Sequence, residues 1–176
     1  MDPAFCSLEY RLKIIGRLPF FKHMRADAIS NINVLFHDRD VQAQEQTYFE
    51  GDWADFLDLV AMRKVKLVRN LASGREVFLD IFHGGDYFST PMMYGGYLHR
   101  ETAIAQTDGC ILQISSSDFD SILTGYPEVM RRALEVVSQR LADSQEVIKQ
   151  LSAYTSEQRI AVALLLLAEK LGEIRG

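Results

Sequence analysis

The stretch FLDLVAMRKVKLVRNLASGREVFLDIF, from Phe56 to Phe82, decides the fold. Apolar residues occupy every second position in three successive runs: Leu57, Leu59 and Ala61, then Val65 and Leu67, then Val77, Leu79 and Ile81. A period of two predicts β-strands that turn one face toward a core. Gly74, after Ala72 and Ser73, supplies the turn chemistry that joins two such strands.

The same period extends outward in both directions, from about Val41 to Ile114. Further turn signals interrupt it at Gly51-Asp52, at Gly84-Gly85-Asp86 and at Asp108-Gly109. Many short strands with regularly spaced turns indicate a barrel or a double-sheet sandwich. We therefore expect a mainly β core.

Helical signals flank these strands. Three apolar residues recur at helical spacing before them: Ile29, Ile32 and Leu35. After them, Ser117 followed by Asp120 resembles a capping box, which would open a short helix that ends at Gly125. The fold class is therefore mainly β with helices at both ends.

A long helix starts at Pro127, which suits a first helical turn. Steps of three and four residues along it trace the a/d seam of a coiled coil: Met130, Leu134, Val137, Leu141, Ser144, Ile148 and Leu151. A narrow seam with charged flanks predicts a homodimer. The alternative is one helix lying on its own sheet, although such a helix usually has a wider apolar stripe.

A last helix starts near Ser156, and its wide apolar stripe is typical of a helix in the core of another unit. The chain is thus predicted to have three parts. Residues 1–126 form N-terminal helices and a sensing domain, 127–155 the dimerisation helix, and 156–176 the first helix of a further domain.

Composition limits the function. The 176 residues carry a net charge of −5, which argues against nucleic-acid binding by this chain alone, because such binding needs a positive face. The longest apolar run, Ala161–Ala168, is far shorter than the roughly 18 residues of a membrane span, and no secretory signal is evident. We expect a cytoplasmic protein without a membrane partner.

The two cysteines, Cys6 and Cys110, lie far apart and form no CxxC motif. This spacing predicts neither a disulfide framework nor a zinc site. Cys110 lies in an apolar alternating run, so we interpret it as a small buried hydrophobic residue.

The order and spacing of several segments resemble the bacterial transcription regulators of the CRP/FNR family, related to the catabolite activator protein and the fumarate-nitrate regulator. These segments are FEGDWADFLDLVAMRKVKLVR, GREVFLDIFHGGDYF, ILQISSSDFDSIL, YPEVMRRALEVVSQRL and QRIAVALLLLAEKLG. The resemblance covers about residues 17 to 173. It implies a double-stranded β-helix, or jelly-roll, barrel of the cyclic-nucleotide-binding type, followed by a coiled-coil dimerisation helix.

The resemblance also implies a winged helix-turn-helix DNA-binding domain, of which Ser156–Leu171 would be the first helix and the rest would lie beyond Gly176. The implied protein is not an enzyme. Its partners would be a second copy of itself, a small-molecule or gas effector, and DNA through that missing domain. RNA polymerase is a further candidate partner.

The segment from Gly84 to Ala105 corresponds to the phosphate-binding cassette of family members that bind cyclic nucleotides. Aligned on Gly85-Asp86, the cassette glycine is Ser89, its glutamate is Thr90, its arginine is Arg100 and its Ser/Thr is Glu101. Only the arginine is kept. Glu101 would place a carboxylate beside the phosphate. We therefore predict a signal other than cyclic AMP or cyclic GMP.

Three further departures concern turn glycines. Gln44, Arg63 and Ser89 stand where the family commonly has glycine, whereas Gly51 and others remain. These replacements predict a barrel with altered corners. Arg63 followed by Lys64 is interpreted as an exposed turn pair.

Two effectors fit the rebuilt cassette. One is a small organic or anionic molecule held by Arg100 with Ser89, Thr90 and Thr102, close to Glu101; the alternative role of Arg100 is a structural ion pair. The other is haem, which relatives use to sense carbon monoxide or nitric oxide, with His83 or His99 as ligand and Met92 and Met93 nearby. The cofactor is thus unknown, with haem as the candidate.

Other functions fit less well. An iron-sulfur sensor needs several cysteines near the N-terminus, and Cys6 is alone there. A cupin-type metal enzyme needs an H-x-H pair, which the sequence lacks. A cyclic-nucleotide module of a kinase or channel stays open as an alternative.

Overall fold

The computed structural model describes residues 6–89 and 97–171, with side chains to residue 168. Thr90, Met92 and Met93 lie outside the described residues. The chain divides into two compact units, Met1–Arg132 and Ala133–Gly176.

Before α4 begins, the described residues of the first unit form three short helices and seven strands. The helices are α1 (Leu8–Ile15), α2 (Ala26–Asn33) and α3 (Ser116–Gly125). The strands are β1 (His37–Val41), β2 (Gln46–Tyr48), β3 (Phe56–Met62), β4 (Lys64–Asn70), β5 (Glu76–His83), β6 (Thr102–Ala105) and β7 (Gly109–Ser115).

The strands form two antiparallel sheets, in the orders β1-β7-β3 and β2-β6-β4-β5. The predicted mainly β jelly-roll fold is confirmed, although the described strands form two sheets and not one closed barrel. Their shared core includes Val60, Leu67, Ala103 and Ile111, all less than a tenth exposed.

In two strands, the pattern of buried side chains does not follow the period of two in the sequence. Leu57 to Ala61 are all buried, so β3 is covered on both faces and hides Asp58. In contrast, Leu79 is 47% exposed and lies where the β4–β5 register shifts, between the pairs Leu67–Asp80 and Val68–Phe78.

The predicted altered corners are wrong for two positions. Gln44 and Arg63 have φ values of 67° and 83°, so the backbone keeps the left-handed conformation that glycine adopts most readily. Arg63 and Lys64 are both exposed, as predicted. These two corners therefore have glycine-like backbone conformation without glycine.

The capping box lies two residues earlier than predicted. The N-cap of α3 is Ser115, whose Oγ accepts a hydrogen bond from the Asp118 amide at 3.1 Å, and the helix ends at Gly125 as expected. Ser117, the predicted cap, is already inside the helix. The reason is that β7 runs directly into α3 without a loop.

The prediction of unbonded cysteines is also wrong. Cys6 and Cys110 form a disulfide across 104 residues of sequence, with their Cα atoms 6.7 Å apart. Cys110 is fully buried, as expected for its apolar run. Sequence spacing could not reveal the bond, because the fold brings together two distant segments.

Two helices complete the chain, α4 (Pro127–Ala153) and α5 (Ser156–Leu171). The predicted seam side chains of α4 are largely exposed: Met130 46%, Leu134 67%, Val137 57%, Leu141 59%, Ile148 63% and Leu151 58%. Ser144 donates a hydrogen bond to the Arg140 carbonyl at 2.8 Å, so its hydroxyl is satisfied inside its own helix. Among the described helices, none has the length and apolar character to cross a membrane.

Candidate functional site

The candidate site lies where the chain enters β6 and meets the turn between β2 and β3. Three backbone hydrogen bonds join the two segments: Gly51 N to His99 O (2.9 Å), His99 N to Asp52 O (2.8 Å) and Ala54 N to Tyr97 O (3.0 Å). This ladder fixes which side chains of the entering segment face inward.

Neighbouring side chains on this segment point in opposite directions. His99 is 8% exposed and faces the interior, whereas Arg100 is exposed. Within the described residues, the Arg100 side chain makes no hydrogen bond or ion pair. The inner wall at this point therefore carries a histidine, and the arginine lies on the outer side.

The His99 ring stacks on Tyr48, with centroids 3.6 Å apart and planes 10° from parallel. Phe88 lies beyond Tyr48 at 6.1 Å and is also nearly parallel to it. Tyr48 and Phe88 are both buried. The result is an aromatic wall inside the domain.

A carboxylate lies beside this wall. Burial raises the pKa of Glu101, although the nearby Tyr48 hydroxyl, the Arg100 backbone and Arg69 oppose the shift. Burial also raises the pKa of Tyr48, together with the charges of Glu101 and Asp58. The Tyr48 hydroxyl is buried, and the Glu101 carboxyl group is the polar side chain beside it, although within the described residues the pair does not meet strict hydrogen-bond geometry.

Burial also shifts the pKa values of two other groups toward their neutral forms. Burial raises the pKa of Asp58, whose Oδ1 accepts a hydrogen bond from Gln113 Nε2 at 2.6 Å. Burial lowers the pKa of His99, although Asp52 and Asp55 oppose it. Each shift favours the neutral form, because the interior penalises charge.

The predicted hydroxyl ligands are already engaged. Ser89 Oγ accepts from the Asp58 amide at 2.6 Å and donates to the Phe56 carbonyl at 2.9 Å. Thr102 Oγ1 accepts from the Glu50 amide at 3.0 Å. Both hydroxyls hold backbone in place.

The two candidate haem ligands are not brought together. His83 pairs with Lys64, whereas His99 precedes Thr102, which pairs with Val68 at the other end of β4. Four strand residues span about 13 Å. The two histidines therefore cannot ligate one iron, although His83 Nε2 is buried without a hydrogen-bond partner in the described part of the chain.

Sequence analysis missed Tyr48 and Asp58. An aspartate in an apolar strand was a usable signal, because a buried carboxyl group requires partners. Tyr48 gave no such signal, because its role follows from stacking on a residue 51 positions away. The described residues include no cluster of three or more His, Cys, Asp or Glu side chains that could hold a metal ion.

Comparison with known proteins agrees with this architecture. The sequence profile of the cyclic nucleotide-binding domain matches residues 38–126. A CRP-like cAMP-activated global transcriptional regulator of Mycobacterium tuberculosis is 24% identical over 164 residues, covering 93% of this chain and 73% of the relative.

Solved structures show the same fold. The catabolite activator protein of Thermus thermophilus has a TM-score of 0.69 at 24% identity, covering 86% of this chain and 71% of the other. FixK2 of Bradyrhizobium japonicum has a TM-score of 0.69 at 21% identity, covering 79% and 69%. The chain therefore belongs to the cyclic nucleotide-binding domain family, and the relatives it resembles are regulators of the CRP/FNR type.

Proposed function

We propose that this chain senses a signal other than a cyclic nucleotide and transmits it through a dimer to DNA-binding domains. The observation that carries the proposal is the inner wall of the site: it presents His99, Tyr48 and Glu101, while Arg100 points outward. A cyclic phosphate needs a cation and several donors around its oxygens. A half-buried carboxylate at that place repels it instead.

The name of the Mycobacterium relative makes cyclic AMP the obvious alternative ligand. Three local features argue against transferring it. The hydroxyls of Ser89 and Thr102 are bonded to backbone, the arginine is on the outer side, and Asp58 adds a second buried carboxyl group. We propose a small organic effector that stacks on aromatic rings and is neutral or a hydrogen-bond donor toward Glu101.

Titration calorimetry with cyclic AMP and cyclic GMP tests this proposal. We expect no binding heat at millimolar nucleotide, and the same absence in Arg100→Ala. Arg75→Ala is the matched control, because Arg75 is also an exposed arginine, in the turn between β4 and β5. Micromolar binding that disappears in Arg100→Ala, and persists in Arg75→Ala, would refute the proposal.

Haem is the second candidate, and it rests on one atom. The Nε2 of His83 is buried and has no hydrogen-bond partner among the described residues, so it is available as a ligand for iron. Bound haem would supply an iron that carbon monoxide or nitric oxide can ligate. An absorption spectrum with added haemin decides the matter: a sharp band that moves with carbon monoxide and is lost in His83→Ala would support haem. An unchanged spectrum would exclude this candidate.

We propose that α4 pairs with the same helix of a second copy. The support is its seam of apolar side chains, which are about half or more exposed. Burying their apolar surface in a dimer would be favourable by roughly 25 cal/mol per Å². Val129 is fully buried and anchors the start of the helix in the first unit.

DNA binding would follow from the pairing. The apolar residues of α5, including Ile160 and Leu164, are exposed, which supports its role as the first helix of a larger DNA-binding unit. A shift in α4 pairing would change the spacing of two recognition helices, which must match major grooves about 34 Å apart. The proposed role is regulatory and not enzymatic.

A further inference from the structure

The Cys6–Cys110 disulfide joins two elements with different roles. Cys6 immediately precedes Ser7, the N-cap of α1, whereas Cys110 lies on β7, the central strand of the three-stranded sheet. The bond is therefore a covalent link between an N-terminal helix and the sheet.

The two sulfur-bearing residues differ in access. Cys110 is fully buried, whereas Cys6 is partly exposed and lines an open groove of about 490 Å³. Thiol–disulfide exchange needs an incoming sulfur to reach the bond in line. Only the Cys6 side of this bond is approachable from solvent.

Charged side chains line the groove beside Cys6. Arg11 and Asp38 both lie there and form an ion pair at 2.8 Å. Access therefore separates the two roles: Cys6 is the cysteine that an incoming disulfide can reach, and Cys110 is the buried resolving partner.

Helix α1 has other attachments, so the bond is not its only anchor. Arg11 donates to Asn33 Oδ1 at 3.1 Å, to Asp38 Oδ1 at 2.8 Å and to the Phe36 carbonyl at 2.5 Å. These contacts hold the helix when the disulfide is open. The link can therefore be made and broken without unfolding the helix.

The same helix contacts the start of the cassette segment. The Tyr10 hydroxyl donates to the Ala61 carbonyl at 3.0 Å. A Cβ atom on Gly84 would lie 3.0 Å from that carbonyl and 3.7 Å from the Tyr10 hydroxyl. The turn from Gly84 to Asp86 is thus packed against α1, and the tether at Cys6 restrains both.

We propose that Cys6 and Cys110 form a reversible thiol–disulfide site that tightens the Gly84 turn when oxidised. The oxidant is a low-molecular-weight disulfide, RSSR. The Cys6 thiolate attacks one sulfur of RSSR, forms a mixed disulfide and releases RS⁻. The Cys110 thiolate then attacks Cys6 Sγ and releases the second RS⁻. The protein loses two electrons and two protons, and two RSH form.

This inference is independent of which effector the aromatic wall binds. Its test uses the whole chain, equilibrated in buffers of reduced and oxidised glutathione and then trapped with a maleimide in urea. We expect the number of labelled thiols to change from two to none, reversibly, across the range of ratios. Cys110→Ala should accumulate a glutathione adduct on Cys6, and Cys6→Ser should take none.

A second readout tests the coupling. Hydrogen exchange of the amides from Gly85 to Ser89 should slow at least several-fold on oxidation. Tyr10→Phe removes the hydroxyl contact and leaves both cysteines, so it should abolish this slowing while the disulfide still forms. Thiols that stay free in oxidised glutathione, a bond that resists excess reduced glutathione, or equal exchange in both forms would each overturn the proposal.

Discussion

Replacing Ser89 with alanine decides whether this residue binds an effector or supports the strand beneath it. Ser89 is 1% exposed. Its hydroxyl accepts a hydrogen bond from the Asp58 amide and donates one to the Phe56 carbonyl. The alanine variant would leave the amide buried without a partner, which costs about 1–3 kcal/mol. The Phe56 carbonyl adds about 1 kcal/mol at most, because its residue is 43% exposed and water can reach it.

We therefore expect Ser89→Ala to lose about 2–3 kcal/mol of unfolding free energy. With a urea slope of about 1–3 kcal/mol per molar, the midpoint should fall by roughly 1 M. Ser30→Ala is the control, because Ser30 bonds only a carbonyl on the exposed face of α2 and should change stability by less than about 0.5 kcal/mol. If Ser89→Ala unfolds at the same urea concentration as the wild type, the hydroxyl is not structural and the reasoning is refuted.

Three further predictions concern charge, backbone and assembly. Because burial raises the folded-state pKa of Glu101 above its ordinary 4.5, ionisation destabilises the fold, and Glu101→Gln should be more stable than the wild type at pH 7. The difference should shrink as the pH falls below the raised pKa and vanish below 4.5, where both folded and unfolded chains are protonated. A difference that does not change with pH would contradict this. Arg63→Gly relieves a φ of 83° and should gain about 0.5–1 kcal/mol in urea unfolding, whereas a loss would mean that the Arg63 side chain stabilises the corner. Leu141→Asp should convert dimers into monomers by light scattering, while Ser138→Asp, off the seam, should not; a dimeric Leu141→Asp would show that α4 pairs differently.

The jelly-roll fold could be predicted because it depends on repeated local signals. The alternation around Leu57 and Leu67 and the glycine turns that separate the strands are visible without any tertiary information. Where local signals gave the wrong answer, tertiary position was the cause. Leu79 follows the alternation of the sequence yet is exposed, and it lies at the irregularity in the pairing of β4 with β5.

The site was harder to predict than the fold. Motif comparison predicted the segment of the site but could not determine which of its side chains face inward, because that depends on the ladder between His99 and Asp52. The disulfide was not predicted for a related reason: Cys6 and Cys110 come together only when the segment before α1 lies beside β7. Pairwise geometry between distant segments is not encoded in any short stretch.

Evolution can change the signal of such a domain without replacing any residue of the aromatic wall. Because the backbone of His99 is bonded to Gly51 and Asp52, a shift of that pairing by one residue would put Arg100 at the place that His99 occupies now. A permanent cation would then face Tyr48, and the interior would favour anions over neutral molecules. The register of the segment at His99 therefore affects which class of ligand the interior favours. A comparison of homologues that scores substitutions alone would overlook this effect.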